Sequence, residues 1–198
     1  MKKKAIVLSI TGASGVIYGI RLTEVLLQSN HTVYLIISKW AKRIIKEEAG
    51  LNLEKDPAAS LKKHFKNSNN LIILNDDDLS EAPASGSSGI KDMVIIPCSM
   101  GTMGRIAAGI SSSLIERTAD VILKERGTLI IVPRETPLNR LHIENMLRLA
   151  DAGACILPAT PAFYHSPSSI RDIIDFVVGK VMDMLEIEHK LFRRWRGV

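Results

Sequence analysis

The run Thr11-Gly12-Ala13-Ser14-Gly15 puts a tight glycine turn between an apolar stretch and a helical pattern. Such a turn aims backbone N–H groups and the positive end of a helix dipole at an anion, and Ser14 adds a hydroxyl donor. No Gly-Lys-Ser/Thr follows, so this is not a Walker loop. Other polar groups stand in comparable places. Ser38-Lys39, Cys98-Ser99-Met100-Gly101-Thr102, Arg134-Glu135-Thr136 and Pro158 to His165 each follow an apolar run, and Pro83 to Ser88 lies in a crossover loop. Ser99 and Thr102 suit a flavin or a phosphate. Charge directly after a buried strand needs a purpose or a partner, so Arg134 suits an anionic ligand and Glu135 an acid or base. Glu48 reads either as another such carboxylate or as an exposed side chain. Cys98 has no histidine near it in sequence and reads as a small buried residue. The histidines (His31, His64, His142, His165, His189) show no metal-ligand spacing, and we expect no metal.

The elements that must position these groups alternate. Strand patterns run over 5–11, 32–38, 71–74, 92–97, 128–133 and 154–157, as near-continuous apolar runs of the kind that parallel strands covered on both faces require. Helical patterns run over 16–29, 39–49 (with Trp40, Ile44 and Ile45 apolar), 113–126, 139–152 and 167–192. The alternation predicts one α/β domain over 1–198, a three-layer, doubly wound, mainly parallel sheet. Asn75 to Asp78 and Ala82 to Gly89 read as one long loop, of a length that is more often functional than filler. Open sheets of this class bind ligands outside the carboxyl ends of their strands, where most of the polar groups fall. On the pattern 113–126, the charged Glu116, Arg117, Lys124 and Arg126 suit a solvated face.

Composition narrows the ligand. The chain has 198 residues and a net charge of +5, which favours anionic partners. Aromatic residues make up only 5%, too few for a single-strand stacking platform, and no basic recognition helix is present, so small phosphorylated ligands are favoured over nucleic acid. The two cysteines form no CxxC pair and fit a reducing cytosol. We expect no signal segment and no membrane span. TGASG also occurs in short-chain dehydrogenases. Here no Tyr is followed four residues later by Lys, and Ser38-Lys39 stand where an acidic residue would hold an NAD ribose, which favours a mononucleotide.

Taken together, TGASGVIYG, SKWA, PASGSS, PCSMGT, LIERTADVILKE, VPRETPL and ENMLRLADAGA resemble the flavin prenyltransferases, the UbiX-type proteins also known as phenylacrylic acid decarboxylases, in unbroken order from about residue 5 to 195. The resemblance implies a Rossmann- or flavodoxin-like flavoprotein fold. It implies an enzyme that joins a dimethylallyl group, from dimethylallyl monophosphate, to N5 and C6 of reduced FMN without a metal. The product would serve a UbiD-type decarboxylase. Family members assemble as dodecamers built from trimers, with flavin sites at subunit interfaces. By motif, Gly12, Ala13, Ser14, Ser38, Ser99, Met100, Gly101, Thr102 and Arg134 would hold FMN. Tyr164 in AFYH and Lys180 in DFVVGK would bind the prenyl phosphate, with Lys124, Ser85 and Arg117 completing the pocket. Many relatives have Arg where Lys180 stands; Lys keeps the charge and loses the planar fork. Glu135 and Glu48 would handle protons beside Ser14. The tail Phe192 to Arg196, on a C-terminal arm at about 185–198, reads as an arm that folds over a partner subunit or as a basic, frayed helix end, and Trp195 on it would shield the allyl cation through cation–π attraction. The competing expectations are a direct aromatic-acid decarboxylase, for which no acid-binding Arg pair is evident, and a non-enzymatic flavin carrier. A cysteine decarboxylase would need an early catalytic His, and His31 stands at the wrong end of strand two.

Overall fold

The computed structural model describes residues 3–195; residues 196–198 of the expected arm, Arg196 among them, lie outside the described residues. Six strands, β1 (Ala5–Ile10), β2 (Thr32–Ile37), β3 (Leu71–Leu74), β4 (Asp92–Cys98), β5 (Thr128–Pro133) and β6 (Cys155–Ile156), form one sheet in the order β3-β2-β1-β4-β5-β6. Every pairing is parallel. This is the dinucleotide-fold order rather than the flavodoxin order.

Both faces are covered, which is why β1 and β4 read as unbroken apolar runs. Alternate side chains feed two cores. Ile6, Leu8, Ile10, Val94 and Ile96 pack under α1 (Val16–Gln28), α2 (Lys39–Ala49), α3 (Pro57–His64) and α7 (Ile170–Met184). Val7, Met93, Ile95 and Cys98 pack under α4 (Met100–Ala107), α5 (Leu114–Lys124) and α6 (Arg140–Asp151). Helix α1 crosses the sheet at Gly19, where a Cβ would lie 2.7 Å from Ile10 Cγ1, so only glycine allows the approach. Capping boxes start α5 (Ser113 with Glu116) and α7 (Ser169 with Asp172).

The structure departs from the sequence expectations at identifiable points. The last helix stops at Met184 because Glu186 turns left-handed (φ 57°). The N–H of Ile187 then donates to Met182 O and that of Glu186 to Asp183 O, a Schellman ending. Two unexpected helices appear: α3, started by Asp56 and Pro57, and the glycine-rich α4. The loop before β4 carries tight 3-10 turns at Ala82–Ala84 and Gly86–Ser88. Trp40 is not core; it is 68% exposed on the first turn of α2.

Candidate active site

The strand order reverses between β1 and β4, the place at which open sheets of this class take ligands. Thr11, fully buried, stitches the loops after these two strands together. Its hydroxyl donates to Pro97 O (2.8 Å) and accepts from the Ser99 N–H (2.7 Å). Gly15 caps α1 with φ 93°, a left-handed geometry that suits glycine. The N–H groups of Gly15 and Val16 are already taken, since both donate to Glu48 Oε2, at 2.9 and 3.2 Å. The α1 N-terminus expected to hold an anion therefore holds a carboxylate of its own chain, and Glu48 is neither idle nor free. A ligand phosphate is left the Gly12–Ser14 side of the loop and the neighbouring helix starts.

Those starts are close at hand. Ser38 caps α2, its Oγ accepting from the Ala41 N–H (3.3 Å). Ser99 caps α4, accepting from the Thr102 N–H (3.3 Å) and donating to Thr102 Oγ1 (3.0 Å). Met100, Gly101 and Thr102 form the first turn of α4. Arg134 Nε donates to Ser14 O at 2.9 Å, which fixes the guanidinium beside the first loop. Glu135 follows it, exposed, accepting from the Thr136 N–H (3.0 Å). Gly12 lies against Trp40, whose Cβ is 3.0 Å from where a Gly12 Cβ would stand. Gly12, Ala13, Ser14, Ser38, Glu48, Ser99 to Thr102, Arg134 and Glu135 thus meet at one sheet edge. The Ser99 hydrogen is spent on Thr102, but the Ser38 and Thr102 hydroxyls only accept from the chain and keep a hydrogen to donate, so with Arg134 and the loop N–H groups the donor set fits an anionic mononucleotide.

The other predicted residues stand elsewhere. Arg117 Nε donates to Ala84 O (3.1 Å) and its Nη1 to Asp120 Oδ2 (2.9 Å). That holds Ser85, with its hydroxyl 2.9 Å from that of Ser87, against the outer side of α5. Lys124 ends the same helix, 3.4 Å from Glu125, just before β5 begins at the amino edge of the sheet. The third group lies on the opposite face of the sheet, along α7. Tyr164 packs edge-on to Phe176 (5.9 Å between centroids) and to Trp195 (5.7 Å). Lys180 is 3.6 Å from Asp183, which also accepts from Arg194 (2.5 Å) and contacts His189 Nε2 (3.0 Å). Burial raises the Asp183 carboxyl, and the bonds from Arg194 and His189 outweigh it and hold it below the usual range. As far as Trp195 the C-terminal segment folds back on its own chain, Phe192 covering Gly179, and is not a frayed helix end.

One expectation about charge is corrected, and the reading of Cys98 as a small buried residue holds. Glu116 is not on a solvated face. It is 2% exposed, and Arg105 Nε, Ser112 Oγ (2.6 Å) and the N–H groups of Ser112 (2.9 Å) and Ser113 (3.2 Å) all donate to it. Burial raises its carboxyl, yet those bonds outweigh it and hold the group below the usual range. Cys98 is fully buried, and burial pushes its thiol up to about 12, so it is no nucleophile at neutral pH. Arg105 belongs to the site region and was not singled out from sequence; Thr11 was read as part of the phosphate loop, and Trp40 as an apolar residue of the second helix. For Trp40 the signal toward the site was its place in SKWA, two residues after Ser38.

The fold and the clustered donors define an α/β protein built to hold a phosphorylated ligand at the carboxyl edge of its sheet. A family model described as Flavoprotein matches residues 1–187. The flavin prenyltransferase UbiX of Alkalihalophilus pseudofirmus is 47% identical over 194 residues, covering 98% of this chain and 96% of that protein. A crystal structure of AnUbiX (PadA1) in complex with FMN and dimethylallyl pyrophosphate is 38% identical, with a TM-score of 0.89 and full coverage of both chains. A dodecameric FMN-dependent UbiX-like decarboxylase from Escherichia coli O157:H7 is 37% identical, with a TM-score of 0.86, covering 98% of this chain and all of that one. The chain belongs to the flavoprotein family and, within it, to the UbiX flavin prenyltransferases.

Proposed function

We propose that the protein transfers a dimethylallyl group from dimethylallyl monophosphate to N5 and C6 of reduced FMN, so making the prenylated FMN used by a separate UbiD-type decarboxylase. The observation that carries this reading is the meeting of the capped starts of α1, α2 and α4 with Arg134 at the switch point, in a chain with full-length flavin prenyltransferase relatives. Reduced FMN supplies the nucleophilic ring positions. The chain supplies the rest. Gly12, Ala13, Ser14 and Ser38 hold the flavin phosphate; Ser99, Met100, Gly101 and Thr102 bind along the flavin; Arg134 locks the first loop and faces the bound anion.

Tyr164 and Lys180 bind the prenyl phosphate, with Ser85, Arg117 and Lys124 as further donors. Cations and hydroxyls aimed at a departing phosphate stabilise its developing charge without a metal. Glu135 is the base for the proton lost at C6, and Glu48, beside Ser14, moves protons at the flavin edge. Trp195, packed on Tyr164, shields the allyl group from water. The α5 and α7 groups flank opposite faces of the sheet, so one copy does not assemble them around its own flavin loops. The reading therefore includes a cytosolic homo-oligomer, a dodecamer built from trimers, in which neighbouring copies complete each site. No helix among the described residues is long and apolar enough to cross a membrane.

The test is anaerobic incubation with reduced FMN and either dimethylallyl monophosphate or pyrophosphate, followed by mass spectrometry. We expect a flavin heavier by one dimethylallyl unit with the monophosphate. Flavin binding without such a product from either donor overturns the reading.

A further inference from the structure

The first turn of α4 is held by a chain of hydrogen bonds that begins far from the flavin loops. Glu116, buried at the start of α5, takes the Nε of Arg105 and, on its other oxygen, the Ser112 hydroxyl and the N–H groups of Ser112 and Ser113. With both carboxylate oxygens occupied, Arg105 is fixed in direction although its own side chain is half exposed. From there its Nη2 donates to Thr102 Oγ1 at 3.3 Å, and its Nη1 lies 3.5 Å from where a Gly101 Cβ would stand. The guanidinium covers the turn that carries Gly101 and Thr102.

Hydrogen-bond inventory gives this contact a consequence. A guanidinium only donates; a hydroxyl has one hydrogen and two acceptor positions. Thr102 Oγ1 accepts from Arg105 and also from Ser99 Oγ at 3.0 Å. Both acceptor positions are then filled, and the one Thr102 hydrogen is left for an acceptor outside the pair. We infer that Arg105, held by Glu116, sets the polarity of the Thr102 hydroxyl so that it donates to an acceptor atom of the bound flavin, which makes Arg105 a positioning residue for the second flavin loop. This rests on the reading that Ser99 to Thr102 meet the flavin.

A double-mutant cycle on flavin binding tests it. The variants are Arg105→Met, Thr102→Val and the pair, with Arg105→Lys as the conservative form. The readouts are the FMN dissociation constant, the shape of the bound-flavin absorption band, and thermal midpoints. We expect Arg105→Met and Thr102→Val each to weaken FMN binding roughly 10-fold, in line with loss of one hydrogen bond. The pair should be no weaker than the weaker single variant and should share its altered band. Arg105→Lys, keeping a donor but not the fork, should recover part of the affinity. Multiplied losses in the pair, or a lowered thermal midpoint with unchanged FMN affinity, overturn the inference and leave Arg105 a stabilising residue only. Because the readout is flavin binding, failure of prenyl transfer and failure of this inference are told apart.

Discussion

A carboxylate at the start of α1 takes the two N–H groups that an incoming phosphate would otherwise use. Glu48 is exposed, yet one of its oxygens serves Gly15 and Val16, so it acts as a cap supplied by a distant helix. Glu48→Ala should lower stability by about 1 kcal/mol, the usual cost of losing a helix cap. Glu48→Gln should retain most of that, since an amide oxygen still accepts both bonds. Urea denaturation of the two variants decides the matter, and equal losses would count against the cap. His31 presents the reverse case, a buried group that must stay neutral. It is 2% exposed; its Nδ1 accepts from the Lys4 N–H (3.1 Å), and its Nε2 has no partner among the described residues. Burial, and then the charges of Lys4 and Lys3, hold its pKa below the usual value. The folded state thus binds this proton more weakly than the unfolded state. Stability is complete above the unfolded value of about 6.5 and falls as pH drops below it toward the folded value. His31→Asn, which can still accept from Lys4, should flatten the loss of stability as pH falls below about 6.5. An unchanged slope in denaturation midpoints would show that His31 does not set it.

At the scale of elements, the loops after β1 and β4 are tied together just beyond the strand ends through Thr11. Thr11→Val keeps the shape of the side chain but leaves the Ser99 N–H without its acceptor in a buried setting. We expect a loss of about 2 kcal/mol, and faster hydrogen exchange at Ser99 and along the first turn of α4 than elsewhere in the sheet. Exchange that rises equally everywhere would mean that the bond supports the whole fold and not these loops. Much of this architecture was legible beforehand. Strands buried on both faces announce themselves as apolar runs, and groups just after such strands must fall on one edge of a parallel sheet. Helix α4 was not legible because Gly101, Thr102 and Gly104 dilute its apolar period, and α3 because it buries only Leu61. The last helix was drawn too long because Leu185, Ile187 and Leu191 continue its spacing after Glu186 has turned the chain. Within the site, hydroxyls and Arg134 could be read from position alone. The contact of Glu48 with Gly15 spans 33 residues, and that of Arg105 with Glu116 crosses a turn between helices. Neither leaves a local pattern. Glu116, in a charged run at a helix start, looks from sequence like surface.

For the molecule as a whole, the decisive fact is separation. The donors proposed for the flavin lie at the carboxyl edge, the Arg117 and Lys124 group lies on α5, and Tyr164, Lys180 and Trp195 lie along α7 on the other face. The α5 and α7 groups expose cations together with hydroxyls or aromatic surface, and Tyr164 and Trp195 remain substantially open. In a symmetric closed assembly every copy presents every group once, so a site made from several copies is repeated intact around the ring. That arrangement makes a prediction that a site built within one copy does not. Arg134→Leu damages the flavin group, and Lys180→Ala damages the prenyl-phosphate group; each homo-oligomer alone should be nearly inactive. Co-expressed with two different tags and purified as hybrids, they should regain prenyl transfer, because some sites then combine a sound flavin edge from one copy with a sound α7 from its neighbour. Random mixing of equal amounts makes about a quarter of the sites whole. If the groups instead came together within one copy, every site in the hybrid would carry one lesion or the other, and activity would stay at the level of the parents.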